Sequence, residues 1–136
     1  MSSLAISATL TGAQIGAIML GGGLGAVARF FVSTSINERV AGHFPYGTLL
    51  VNVIGSFLMG FLAMWLVEHL TLNPLIRLAV FVGFLGAFTT FSTFSMETLN
   101  LFEEGMAVRA LLNMLLNVTL SVLAVWLGVL AGKLLA

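Results

Sequence analysis

The chain has 136 residues, of which 60% are hydrophobic and only 7% are charged, and its formal charges sum to zero. Soluble domains carry about 25% charged residues, so the composition predicts an all-α membrane protein that has lipid as a partner. The balanced charge excludes the basic surface that nucleic-acid binding requires. The absence of cysteine excludes disulfides, thiolate metal sites and cysteine nucleophiles.

Four apolar segments are long enough to cross a bilayer, which takes about 20 helical residues. In chain order they cover residues 13–33, 48–67, 75–101 and 107–132. We therefore expect residues 1–12 to form an N-terminal extension and residues 13–136 to form one four-helix transmembrane domain. Pro45 and Pro74 lie just before the second and third segments, in positions where helices tolerate proline. The short last connection predicts that the third and fourth helices form a tight hairpin.

The basic residues give almost no signal for orientation in the membrane. With the N-terminus inside, Arg77 and Lys133 flank the inner side, whereas Arg39 and Arg109 lie in outer loops. Two alternatives stay open: insertion in both orientations with pairing of opposite copies, or one orientation fixed through Arg77. Because four short helices enclose little volume, a pore is expected at a subunit interface. Glycines spaced by four predict close helix packing at three places: Gly12 and Gly16, Gly21 and Gly25, and Gly128 and Gly132.

Residues 83–97, with the sequence GFLGAFTTFSTFSME, place five hydroxyl residues among phenylalanines inside an apolar run. Such a pattern favours a broken helix lining a polar path, because backbone freed inside a membrane must find hydrogen bonds within the protein. Gly86 is the predicted break point, and the carbonyls exposed there could bind a cation. The ring edges of Phe88, Phe91 and Phe94 could face an anion without trapping it. The simpler interpretation is that these three rings are core aromatics.

Polar side chains also recur at helical spacing in the second and fourth segments. Asn52 and Ser56 are four residues apart, and so are Asn113, Asn117 and Ser121 in turn. These groups could donate to a passing anion and line a wet path. They could equally bond to a neighbouring helix, a contact worth about 1 kcal/mol in a membrane.

Two ionisable residues, Arg29 and Glu97, lie deep within the apolar segments. Arg29 could attract anions into a vestibule, pair with Glu97, or extend its charge to the interface. Nowhere do a nucleophile, a base and an orienting group come together, so the chain is not expected to be an enzyme. Two other functions fit four short helices: a proton-coupled exporter of cationic drugs, with Glu97 as its only deep carboxylate, or a non-transporting assembly subunit.

Three stretches of the chain closely resemble the Fluc (CrcB) family of fluoride channels: residues 21–29, 47–55 and 83–97. The Thr-Thr-Phe-Ser-Thr-Phe-Ser alternation is highly specific to that family, and the resemblance covers all but the first dozen residues. It implies an antiparallel, dual-topology homodimer with a broken third helix and two fluoride pores at its interface. It further implies a central structural Na⁺, and passive export of fluoride across the bacterial inner membrane that protects the cell.

The resemblance also implies roles for individual residues. The sodium carbonyls would belong to Gly86 and Thr89, and Arg29 and Glu97 would lie in the vestibule. Asn113, Asn117 and Ser121 take places where many relatives carry Tyr and Ser, and amides can still donate to fluoride. The resemblance thus implies a fluoride pore lined by Asn52, Phe91, Phe94, Ser95, Thr93, Asn117, Ser121 and Asn113.

Overall fold

The computed structural model describes residues 9–69 and 73–136, and this part of the chain is helical apart from short connections. Four of its helical spans are long and apolar enough to cross a membrane, which confirms the predicted four-span, all-α architecture. Residues 1–8 of the predicted extension and residues 70–72 of the second connection lie outside the described residues. The elements are α1 (Gly12–Arg39), α2 (Tyr46–His69), α3 (Pro74–Arg77), a π-helical segment (Leu78–Leu85), α4 (Gly86–Phe88), α5 (Phe91–Glu103) and α6 (Ala107–Leu134).

Helix α1 begins at a capping box, in which Thr11 and Gln14 each bond the other's backbone amide through a side-chain oxygen. The helix runs to Arg39, so its predicted end near residue 33 is wrong. The chain leaves the helix at Val40 (φ −106°, ψ 105°) and then reaches Gly42, whose φ of 134° favours glycine. The end of α1 then contributes to the next helix, because the Gly47 amide at the start of α2 donates to Asn37 Oδ1 at 3.0 Å.

The third span departs from α-helical conformation twice along its length. It starts at Pro74 with an Asn73 cap, continues as the π-helical segment, and returns to α-helix at α4. The backbone then becomes extended at Thr89 (φ −83°, ψ 154°) and Thr90 (φ −149°, ψ 118°). Gly86 itself is helical (φ −61°, ψ −36°), so the prediction that the chain departs from the helix at this glycine is wrong.

The third and fourth spans form a tight hairpin, as the length of their connection predicted. After α5 the Met106 amide donates to the Leu101 carbonyl at 2.8 Å, and the Gly105 amide donates to the Phe102 carbonyl at 3.1 Å. With Gly105 at a φ of 77°, this is a Schellman motif. The chain therefore reverses within three residues and brings α6 back along α5 and α2.

Helix α1 packs along the π-helical segment through two of the predicted glycines. Gly21 lies against the backbone of Ala79, and Gly25 lies against the backbone of Phe84. A Cβ atom on either glycine would collide with backbone, which cannot move away without shifting the whole segment. Only glycine therefore permits this approach of α1 to the third span.

Helix α6 packs along α2 in the same way. Gly128 and Gly132 both face the α2 backbone, so the predicted close packing occurs at these two positions as well. The remaining pair behaves differently, because nothing lies within 4 Å of where a Cβ of Gly12 or Gly16 would stand. These two glycines make no close contact within the described residues.

The surface of the four-span bundle is apolar over most of its area. Phe30, Phe31 and Leu20 are each at least 70% exposed, whereas Asn113 is completely buried. Water cannot solvate such a surface favourably, and lipid can. The chain is therefore a multi-pass membrane protein, and several of its polar side chains, such as Asn113 and Asn117, are buried inside the bundle.

Candidate functional site

A groove of about 380 Å³ lies between α2, the break in the third span and α6. It is mostly apolar along the side formed by Val118, Val122 and Val125. Polar groups and aromatic rings form the rest of its wall. Among the residues that line it are five of the predicted pore residues, from three separate elements: Asn52, Phe91, Phe94, Asn117 and Ser121.

Asn52 bonds to the backbone of Thr90 at the break. The Thr90 amide donates to Asn52 Oδ1 at 2.7 Å, and Asn52 Nδ2 donates back to the Thr90 carbonyl at 3.0 Å. The remaining proton of Asn52 Nδ2 goes to Asn117 Oδ1 at 3.0 Å. One side chain on α2 thus replaces helical hydrogen bonds that the third span gives up at Thr90.

The bonds continue from Asn117 into the buried interface between α6 and α5. Asn117 Nδ2 donates to both the Oδ1 and the main-chain carbonyl of Asn113, each at 2.9 Å. Asn113 Nδ2 donates to Thr98 Oγ1 at 2.9 Å, and the Thr98 hydroxyl donates to the Phe94 carbonyl at 2.8 Å. Asn113 does not line the groove. Its side chain is a link in a buried chain of hydrogen bonds.

The break releases several main-chain carbonyls from their helical bonds, among them those of Gly86 and Thr89. In a continuous helix the Thr90 amide would donate to the Gly86 carbonyl, but it donates to Asn52 instead. The Thr93 amide would donate to the Thr89 carbonyl, but it donates to Thr90 Oγ1 at 3.2 Å. In the described residues, no group of three His, Asp or Glu side chains could hold a metal ion. The two residues expected from the sequence to bind a cation, Gly86 and Thr89, are thus among those whose carbonyls are released.

The phenylalanines of the signature segment divide into two kinds. Phe88 is buried and stacks on Phe84 with 5.9 Å between ring centroids, so it is a core aromatic. Phe91 and Phe94 meet edge to face, with centroids 5.3 Å apart and ring planes at 63°. Phe94 is buried, whereas Phe91 is 76% exposed and projects from the bundle. Beside them, the Ser95 hydroxyl donates to the Phe91 carbonyl at 2.8 Å and is exposed.

The Ser121 hydroxyl is a buried polar group of the groove that lacks a protein partner. Its Oγ is buried, and no protein hydrogen bond to it exists within residues 9–69 and 73–136. Buried hydroxyls in proteins are almost always hydrogen-bonded, so such a group indicates a place for an ion or a water molecule. Ser121 lies on the same wall as Asn117, four residues earlier.

Arg29 lines a second cavity of about 190 Å³ together with Thr93, Thr48 and Thr90. Thr93 accepts a hydrogen bond from the Thr90 hydroxyl at 3.0 Å, which leaves its own proton free to donate. Thr90 lines both this cavity and the groove. A cationic side chain and hydroxyl groups therefore surround one approach to the break.

Glu97 lines a third cavity, of about 210 Å³, with His43, Asn100 and Glu104. Its Oε1 accepts from the buried Thr48 hydroxyl at 2.7 Å, and its Oε2 is buried without a protein partner within the described part of the chain. The alternative that Arg29 pairs with Glu97 does not occur among the described residues, because Glu97 Oε1 accepts from Thr48 and Oε2 has no protein partner there.

Sequence reasoning missed three threonines: Thr48, Thr90 and Thr98. Thr48 stands four residues before Asn52, so extending the Asn52 and Ser56 pattern by one turn would have found it. Thr98 follows the signature segment by one residue, and only its contact with Asn113, 15 residues on, reveals its place. Thr90 lies inside the signature segment, but it bonds to Asn52 through its backbone and not through its hydroxyl.

Residues 16–129 match the family model described as CrcB-like protein, Camphor Resistance (CrcB). Curated relatives bear the name Fluoride-specific ion channel FluC. The one from Methylococcus capsulatus is 54% identical over 88% of this chain and 53% of its own length. Those from Magnetococcus marinus and Acidobacterium capsulatum are 49% and 47% identical, over 90% and 85% of this chain and 99% and 93% of their own lengths. The chain thus spans about half of the first relative and nearly all of the other two.

Proposed function

This chain belongs to the CrcB-like family, and from that membership we propose that it is a fluoride-selective channel through which F⁻ leaves the cell passively. The family is one of ion channels, so the chain is not an enzyme. In bacteria, a multi-pass protein of this kind lies in the inner membrane. The observation that carries the proposal is the groove in which Asn52, Phe91, Phe94, Asn117 and Ser121 meet. Relatives matched over most of this chain carry the fluoride channel name.

Fluoride is small and strongly hydrated, so a selective path must replace its water with good donors in a narrow space. The free Ser121 hydroxyl supplies one donor, and the unused proton of Thr93 supplies another. The edges of Phe91 and Phe94 add weak positive potential without a full charge. Weak, repeated sites of this kind let an ion enter and also leave.

The side-chain amides of Asn52 and Asn117 are not free to donate to fluoride in the single chain, because all four of their N–H protons already bond to protein acceptors. For either to bind fluoride directly, one bond must open, such as that from Asn52 Nδ2 to Asn117 Oδ1. An anion would replace that acceptor with a stronger one. We therefore propose that Asn52 exchanges Asn117 for the ion as it passes.

We propose that two copies of the chain form the channel as an antiparallel, dual-topology homodimer with two pores. One chain alone leaves the groove open and leaves Phe91 mostly exposed, so a second copy is needed to enclose the path. The nearly absent positive-inside bias supports insertion in both orientations. A two-fold axis in the membrane plane then produces two equivalent pores.

We propose a structural Na⁺ at the centre of the dimer, held by the carbonyls of Gly86 and Thr89. These residues fit the ion because the break releases both carbonyls from helical bonds. When bound, the ion supplies positive charge that holds the breaks of two chains together. Since binding to the folded dimer stabilises it, the melting temperature should rise with Na⁺ and not with the bulky cation N-methylglucamine. Equal melting temperatures in the two salts would reject this site.

The direction of transport follows from the chemistry of fluoride. External acid forms neutral HF, which crosses bilayers and dissociates inside the cell, and a passive pore lets F⁻ leave under a negative-inside potential. We propose that Arg29 and Thr93 collect the anion in the vestibule that they line, and that Glu97 borders the path at a separate cavity.

The test is fluoride efflux from liposomes that contain only the purified protein, started with a potassium ionophore, with chloride as the control ion. Rapid release of fluoride without chloride supports a selective passive channel. No fluoride release from a folded dimer would reject the channel. Proton-coupled drug transport that is lost in Glu97→Gln would instead support an exporter.

A further inference from the structure

The hydrogen bonds of Asn52, Asn117, Asn113 and Thr98 form one continuous chain, and the backbone between Thr90 and Phe94 closes it into a ring. It starts at the Thr90 amide, passes through the three asparagine side chains and the Thr98 hydroxyl, and ends at the Phe94 carbonyl. Both ends therefore lie on the first turn of α5 and its N-cap, the turn that carries Phe91 and Phe94. We propose that Thr98 and Asn113 are positioning residues, which close this ring of hydrogen bonds and fix the turn that carries the Phe91 and Phe94 side chains.

Backbone groups set the direction of every bond in the ring. The Thr90 amide can only donate and its carbonyl can only accept, so the Asn52 amide can adopt one orientation alone. Asn52 then donates a proton to Asn117, which must accept it with Oδ1 and direct its own protons towards Asn113. At the far end the Phe94 carbonyl can only accept, so the Thr98 hydroxyl donates to it and accepts from Asn113.

The ring of hydrogen bonds is buried along most of its length. Asn113 is fully buried, and Asn117, Thr98 and Thr90 are each 5–7% exposed. Bonds in such a chain polarise one another, and a buried donor left without an acceptor is costly. Removal of the Thr98 acceptor therefore disturbs Asn113, then Asn117, and finally the Asn52 contact that holds the break.

The position of its two ends explains how the ring of hydrogen bonds orients the side chains of Phe91 and Phe94. Thr90 and Phe94 bracket Phe91, so a fixed distance between the ends fixes the first turn of α5. The edge-to-face arrangement of the two phenylalanines depends on that turn. The effect on ion flux rests on the proposed channel function, whereas the ring of hydrogen bonds does not.

The experiment compares Thr98→Val, which keeps the shape and removes the hydroxyl, with Thr98→Ser, which restores the hydroxyl. The matched control is Thr119→Val on α6, where the exposed threonine bonds only to its own helix, at the Leu115 carbonyl. Two properties are measured at equal amounts of folded protein, well below each variant's melting temperature: fluoride efflux from liposomes, and hydrogen exchange of side-chain amides in protein labelled with ¹⁵N-asparagine.

We expect Thr98→Val to lower fluoride efflux about tenfold and to accelerate exchange of the Asn113 and Asn117 side-chain amides about tenfold, the scale of one lost hydrogen bond. Thr98→Ser and Thr119→Val should stay within about twofold of the parent, as no ring bond is lost. Efflux that falls without faster exchange, or exchange that rises without lower efflux, would overturn the positioning role. If the parent released no fluoride, the proposed function would fail. Amide exchange would then still show whether Thr98 holds the hydrogen bonds of Asn113 and Asn117 in place.

Discussion

Replacement of Asn52 by leucine tests whether this side chain holds the break in the third span. Leucine has a similar size but forms no hydrogen bond, so the substitution removes three bonds and leaves the volume nearly filled. The Thr90 amide and carbonyl lose their partner, and Thr90 is only 7% exposed. We therefore expect Asn52→Leu to destabilise the folded protein.

The magnitude follows from the number of bonds and from their burial. Side-chain hydrogen bonds within membrane proteins contribute about 0.6 kcal/mol on average and up to about 1.7 kcal/mol. Three such bonds predict a loss of about 2 kcal/mol in the free energy of unfolding. The upper end is about 5 kcal/mol, because two of the abandoned groups are buried backbone atoms.

The assay is a titration of the protein in mixed micelles with dodecyl sulfate, followed by the fluorescence of its two tryptophans. Protein concentration must be equal in all samples, because unfolding of the proposed dimer would depend on it. Asn100→Leu provides a matched control, as Asn100 is an exposed asparagine of α5. We expect this control to stay within about 0.5 kcal/mol of the parent.

The reasoning would be refuted if Asn52→Leu unfolded with the same free energy as Asn100→Leu. Asn52→Asp separates the two halves of the contact, because an acceptor for the Thr90 amide remains while both donated bonds are lost. We expect its stability to lie below that of the parent, since its second oxygen would face the Thr90 carbonyl. A fully stable Asn52→Asp variant would mean that the donated bonds contribute nothing.

Three further predictions concern the groove and the helix contacts. Phe91→Ile and Phe94→Ile should each abolish fluoride efflux while the dimer stays intact, because the ring edges are lost; normal efflux in the folded double variant would remove the rings from the mechanism. Gly25→Ala should cost about 1–3 kcal/mol in the same dodecyl sulfate titration through collision with the third span, and Gly16→Ala should not, since the space there is open; equal losses would contradict the packing. Ser121→Ala should slow fluoride efflux without lowering stability, because the hydroxyl has no protein partner to lose; unchanged efflux would exclude Ser121 from the path.

Features that depend on residues close together in the chain could be predicted from the sequence. Length and hydropathy predicted four spans, because a helix must be long and apolar enough to cross the lipid. The spacing of Asn113, Asn117 and Ser121 predicted one polar face on the fourth helix, and all three side chains face inwards. The dense hydroxyl residues of segment 83–97 marked the region where the chain leaves the helix.

Features that depend on distant residues required the tertiary structure. The chain leaves the helix at Thr89 and Thr90 because Asn52, 38 residues earlier, bonds to the Thr90 backbone, whereas glycine at position 86 stays helical. The π-helical segment lies in an apolar run that carries no local signal for it.

By itself, the sequence determined that this protein is a four-span helical bundle and which residue types could serve an ion, since those properties follow from local composition and spacing. The tertiary structure alone decided which hydroxyls and amides are already engaged and which are free. Hydrogen bonds between helices, such as Asn113 to Thr98, depend on how the spans pack, and no local pattern encodes that.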